Sequence, residues 1–103
     1  LTVYKPLPKY PAVTRDISML VKDEVYVRDL EKAIAENGGE LVEDITLFDV
    51  YKGGQIAEGY KSVSFSITFR AEDRTLVDDD VNSVMIDILS ALEQQFGAVL
   101  RDK

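Results

Sequence analysis

Neither cysteine nor histidine occurs anywhere in the 103 residues. The first absence removes disulfides, iron–sulfur ligation and thiolate zinc; the second removes histidine general bases and every Ser-His or Cys-His nucleophile pair. Most familiar catalysis is thereby excluded. No apolar run approaches the roughly 20 residues that span a bilayer, and the start is no signal peptide, so a cytoplasmic, reducing setting is expected, with no membrane partner. Only three prolines occur, Pro6, Pro8 and Pro11, and residues 1–15 also hold Lys5, Lys9 and Arg15 but no acid. That composition suits an extended lead-in better than a helix or a central strand. The first residue is a leucine, as expected of a domain drawn from a longer polypeptide.

What is present fits one folded domain. Hydrophobic residues make up 46% of the chain and charged residues 30%, so disorder, collagen-like structure and coiled coil all fit poorly. The length leaves no room for a catalytic domain plus a second module. The net charge of −7 by itself argues against a nucleic-acid partner. That charge is unevenly spread, however: residues 22–44 hold eight acids against three bases, and residues 78–96 hold five acids and no base. Both segments read as helices, which leaves a neutral to weakly basic remainder where a polyanion can dock. Solvated helix faces explain the acid equally well.

Periodicity supplies the element order. Alternation over Asp16–Val21 predicts a first strand, with Ile17, Met19 and Val21 on one face and Asp16, Ser18 and Leu20 on the other. Val27, Leu30, Ala33 and Ile34 lie at helical spacing, and Asn37, Gly38 and Gly39 end that helix. Leu41–Lys52, rich in β-branched and aromatic residues, predicts a second strand ending at Gly53-Gly54. Residues 61–70 alternate cleanly, Val63, Phe65, Ile67 and Phe69 against Ser62, Ser64, Ser66 and Thr68. Capping groups at Thr75–Asp78, the acids Asp79 and Asp80, and the stripe Val81, Val84, Met85, Ile88, Leu92 predict a second helix, stopped by Gly97. Ala98–Arg101 makes a short last strand. The order β-α-β-β-α-β is the ferredoxin-like α+β sandwich: a four-stranded antiparallel sheet with two helices on one face and the other face open.

With Val63, Phe65, Ile67 and Phe69 under the helices, Ser62, Ser64, Ser66, Thr68 and Ser18 point to the open side. Burying Phe48 and Val50 puts Asp49 and Tyr51 there too, and Ile45 and Leu47 with them. A tyrosine ring offers a stacking platform, a carboxylate accepts from base amino and imino groups, and small hydroxyls let a flat ligand approach. These are the needs of single-stranded RNA readout, although an ordinary strand aromatic and a solvated edge acid are the plainer readings of Tyr51 and Asp49. Lys52, Lys61, Arg70 and Arg74 cluster around the third strand as possible phosphate contacts, or as ordinary surface cations. Asp78-Asp79-Asp80 lacks the alternating spacing of a calcium loop and fits a helix N-terminus.

The usual RNA recognition motif shares this element order but stacks bases on aromatics of its first and third strands, where this chain has Ser18, Ser62, Ser64 and Ser66. Four segments point elsewhere: YPAVTRD (Tyr10–Asp16), LFDVYKG (Leu47–Gly53), EGYKSVSFSITFR (Glu58–Arg70) and RTLVDDDV (Arg74–Val81). In order and spacing, over essentially the whole chain, they resemble the ferredoxin-fold anticodon-binding domain that closes the β subunit of bacterial phenylalanyl-tRNA synthetases. Composition sets residues 1–15 apart as a lead-in and leaves 16–103 as the domain, which the resemblance implies grips the anticodon stem-loop of phenylalanine tRNA. Amino-acid activation is left to the α subunit. It implies as partners that tRNA, the rest of the β subunit and the α subunit; no catalytic residue, cofactor, metal or DNA partner is implied. Carried over motif by motif, the base-contacting residues are Asp49 and Tyr51 of the FDxY segment, Ser62 of the KS pair, and Ser18, two after the RD aspartate. Tyr10, Val77 and Asp80 depart from the family's commoner residues.

Two other readings stay open. Ligand-sensing regulatory modules for small molecules use the same fold, and a sensor is expected to answer free amino acids in a thermal-shift assay. An acylphosphatase-like enzyme built on Arg15 or Asn82 lacks a phosphate-cradling loop in the sequence around either residue.

Overall fold

A computed structural model describes residues 10–101. The elements run β1 (Val13–Lys22), α1 (Val27–Gly38), a 3-10 turn (Gly39–Leu41), β2 (Val42–Tyr51), β3 (Tyr60–Phe69), α2 (Asp78–Phe96) and β4 (Val99–Leu100). Strand β1 begins three residues earlier than alternation alone suggests, because Val13, Thr14 and Arg15 pair with Phe69, Thr68 and Ile67. Of the proposed lead-in, residues 1–9 lie outside the described residues.

All strand pairs are antiparallel, in the order β2-β3-β1-β4. The two central strands carry the core. Ile17, Met19 and Val21 from β1 and Val63, Phe65, Ile67 and Phe69 from β3 face Leu30 and Ile34 of α1 and Val81, Ile88 and Leu92 of α2. Each such side chain, fully buried, contributes about 1.5–3 kcal/mol. Helix α2 stops at Gly97, which takes a left-handed φ of 64° and closes the end with N–H bonds from Gly97 to the Glu93 carbonyl (2.9 Å) and from Ala98 to that of Leu92 (3.3 Å). At its start the capping residue is Val77, not Thr75 or Asp78; Asp80 supplies the side chain, accepting from the Val77 N–H at 3.2 Å.

Strand β2 departs from simple alternation. Ile45 pairs with Ile67 and Leu47 with Phe65, which places both on the helix side, whereas the sequence pattern puts them on the open side. The register then shifts: Asp49 pairs with Ser64, Val50 with Val63 and Tyr51 with Ser62, leaving Phe48 as an extra residue in a bulge. An earlier bulge falls at Glu43. Phe48 and Val50 are not buried as expected, being 48% and 44% exposed. The cause is position: β2 is an edge strand, and only its first half, through Val42 and Ile45, reaches the core.

Candidate nucleic-acid interface

Register fixes the uncovered face. The pairings Asp49–Ser64–Ser18 form one row across β2, β3 and β1, and Tyr51–Ser62–Leu20–Val99 form the adjacent row across all four strands. Asp49, Tyr51, Ser62 and Ser18 therefore lie together, two in each row. At ~4.8 Å between strands and ~3.3 Å per residue the two rows make a patch of about 14 by 7 Å, the scale of one or two nucleobases.

The four side chains are not equally accessible. Tyr51 is 47% exposed and Asp49 is exposed, so an aromatic face and a carboxylate are presented. Ser18 and Ser62 are buried, at 8% and 3% exposure, so the hydroxyls expected to line an open surface form its floor instead. Ser18 and Ser64 hydroxyls share a hydrogen bond at 2.7 Å, and Ser62 Oγ accepts from Arg101 Nη1 at 2.9 Å. Arg101 is a residue that sequence reasoning missed. It follows β4, and its backbone N–H bonds the Ser18 carbonyl at 2.8 Å, which continues the β1 ladder and turns its guanidinium onto the open face. Its place two residues after Val99, on a strand that alternates, is the signal that could have found it.

The cations expected around β3 divide sharply. Lys61 is 8% exposed, and its amine donates to the carbonyls of Asp23 (3.0 Å) and Val25 (2.5 Å), so it ties down the β1–α1 loop and is not displayed to a ligand. Arg70 bonds Glu43 at 3.0 Å and the Tyr10 carbonyl, bracing the first bulge of β2. Arg74 pairs with Asp73 at 3.1 Å and approaches Asp80 at 3.8 Å, beside the start of α2. Lys52, directly after Tyr51, is exposed and paired with Asp23 at 2.6 Å. The Lys52 ammonium holds the Asp23 carboxyl below its usual range, through their hydrogen bond first and its charge after.

Charge on the open face is close to balanced and not weakly basic. Asp16, Asp44 and Asp49 pair with Ser66, Thr68 and Ser64 and so share that side, against Lys22, opposite Tyr60, and Arg101. Arg15 faces the helices; its guanidinium donates to Asn82 Oδ1 at 3.2 Å and lies 3.6 Å from Asp78, which docks β1 onto the first turn of α2 and builds no phosphate cradle. A groove between α2 and β4, lined by Ile86, Leu89, Leu92, Val99 and Leu100 with Glu93, offers no cation to a free amino-acid carboxylate. Among the described residues no cluster of His, Cys, Asp or Glu is built to hold a metal, and no helix is long and apolar enough to cross a membrane.

Residues 8–101 match the family described as the ferredoxin-fold anticodon binding domain. The chain is 55% identical over 98 residues to the phenylalanine–tRNA ligase beta subunit of Clostridium tetani, and 48% and 47% identical to those of Clostridium acetobutylicum and Geobacillus kaustophilus. Each of these alignments takes in 95% of this chain but 12% of the relative, so the chain spans about an eighth of their length. The four-stranded sheet with two helices fits that description, and the match takes in most of the chain: this chain belongs to the ferredoxin-fold anticodon-binding domain family.

Proposed function

We propose that this chain is the anticodon-gripping part of a cytoplasmic phenylalanine–tRNA ligase β subunit and reads the anticodon of phenylalanine tRNA on its uncovered sheet face. It contributes no catalytic group; the rest of the β subunit and the α subunit are its partners, and stacking plus hydrogen bonding need no cofactor. One observation carries the reading: Asp49 and Tyr51 of β2, Ser62 of β3 and Ser18 of β1 fall in two adjacent cross-strand rows. Tyr51 stacks on an anticodon base. Asp49 accepts from a base amino or imino group, Ser62 donates its hydroxyl proton while accepting from Arg101, and the bonded Ser18–Ser64 pair shapes the floor below.

The small-molecule sensor has less support, since the groove between α2 and β4 is mostly apolar and its one charged lining residue is Glu93, which repels a carboxylate. The test is Tyr51→Ala in the intact synthetase. Stacking one base on an aromatic ring is worth about 1–3 kcal/mol, so KM for the tRNA should rise roughly 5- to 150-fold while phenylalanine activation is unchanged. An unaltered KM and unaltered tRNA specificity would remove Tyr51 from the site.

A further inference from the structure

Two consecutive glycines follow β2, and both adopt positive φ, 80° at Gly53 and 58° at Gly54. Backbone conformation alone accounts for glycine at each. Their surroundings differ. Around Gly53 nothing stands within 4 Å of the position a Cβ would take, whereas a Cβ on Gly54 would land on the phenol oxygen of Tyr51, with ring atoms Cζ at 3.4 Å and Cε1 at 3.7 Å. The Tyr51 side chain thus reaches along the turn, and its phenol end occupies the space left by the missing side chain of Gly54.

We propose that Gly54 is a positioning residue for RNA binding: its lack of a side chain lets the Tyr51 ring lie along the turn in the orientation that meets a base. The inference rests on the reading of Tyr51 as the stacking group. The phenol end is the far tip of a side chain that is 47% exposed, so an added methyl displaces the ring and not the backbone. Normal carbon–oxygen contact requires a movement of roughly an ångström at that tip. A stacked base, held face to face by the ring, registers such a tilt, while the fold beneath does not.

The experiment is a double-mutant cycle in the intact synthetase, read as KM for the tRNA against kcat. Gly54→Ala should raise KM about five- to tenfold, part of the loss that removing one stacked base causes, with kcat and the KM for phenylalanine within about twofold. Gly53→Ala, which strains the backbone similarly but meets no neighbour, should stay within about twofold. Gly54→Asn is the second variant, because asparagine tolerates left-handed φ while still carrying the Cβ. Tyr51→Phe keeps the ring and removes the phenol oxygen; in that background Gly54→Ala should change KM less than about twofold. In the 103-residue chain, the assigned ring resonances of Tyr51 should shift on Gly54→Ala and not on Gly53→Ala.

An equal penalty with and without the phenol oxygen overturns the proposal, because Gly54 would then act through the backbone. Unmoved Tyr51 resonances do the same. A ring that moves without changing KM also overturns it, and Tyr51→Ala says which reading has failed. If that variant raises KM, stacking is real and indifferent to Gly54. If it too is silent, the RNA role of Tyr51 falls and the positioning role falls with it.

Discussion

Lys61 and Lys52 both reach the segment after β1, yet they do different work. The Lys61 amine is sunk between the carbonyls of Asp23 and Val25, whereas Lys52 meets the Asp23 carboxylate in the open. Truncating Lys61 to an apolar chain leaves two carbonyls short of a partner where water has poor access, so Lys61→Met should lower stability by about 1–3 kcal/mol. A urea melt measures it. RNA affinity at fixed folded fraction should keep the same salt dependence, since the lost charge faces no phosphate; a flattened salt slope would restore Lys61 to the interface. Sequence alone could not separate these two lysines. Alternation puts Lys61 on the helix side of β3, but whether a long chain there finds carbonyls or reaches past the sheet edge depends on a loop from another part of the chain.

At the scale of the element, β2 shows both how far parity reasoning reaches and where it stops. Strand β3 was legible throughout, because a central strand must bury one whole face and Val63, Phe65, Ile67 and Phe69 announce it. Strand β2 lies at the edge, with little burial to enforce a pattern, and a bulge leaves no mark in a run of apolar and acidic residues. Counting from Tyr51 places Asp49 and Tyr51 correctly on the open face; continuing the count across Phe48 reverses Ile45 and Leu47. The face of Asp49 and Tyr51 was readable only because they sit on the near side of the irregularity. Deleting Phe48 therefore has a definite outcome: Leu47 and Asp49 become consecutive and the ladder becomes regular, with Asp49 still opposite Ser64 and Tyr51 opposite Ser62. Deleting Val50 instead makes the ladder regular with Phe48 opposite Ser64 and Asp49 opposite Val63, so Tyr51 stays opposite Ser62 while Asp49 turns toward the helices. Cross-strand NOEs between β2 and β3 should keep Asp49 opposite Ser64 in the first variant and place it opposite Val63 in the second, and tRNA binding should be the weaker in the second.

For the whole molecule the question is how a chain of net charge −7 would hold the polyanion that the proposed function assigns to it. The acid is less confined to helices than the sequence reading has it: α2 holds its five acids, but α1 holds only Asp29, Glu31 and Glu36 of the eight in residues 22–44, Glu43 and Asp44 falling in β2. The open face is not basic: Asp16, Asp44 and Asp49 stand against Lys22 and Arg101, with Lys52 at the rim engaged by Asp23. Long-range attraction is therefore weak, and on the proposed function affinity would rest on short-range stacking and hydrogen bonding, together with contacts made by the rest of a synthetase such as the relatives, of whose length this chain spans about an eighth. Counterion release makes this quantitative. With two or three cations available and a slope of about −0.7 per phosphate contact on single strands, the logarithm of the association constant against the logarithm of salt should fall with a slope of about −1.4 to −2 for the 103-residue chain on an anticodon stem-loop. Arg101→Ala should flatten that slope by about 0.7, because it removes one phosphate partner, and Tyr51→Ala should lower affinity equally at every salt concentration, because stacking releases no ions. Titrations at several salt concentrations separate the two, and a natural-chain slope steeper than about −4 would mean that RNA meets a cationic surface other than this sheet face.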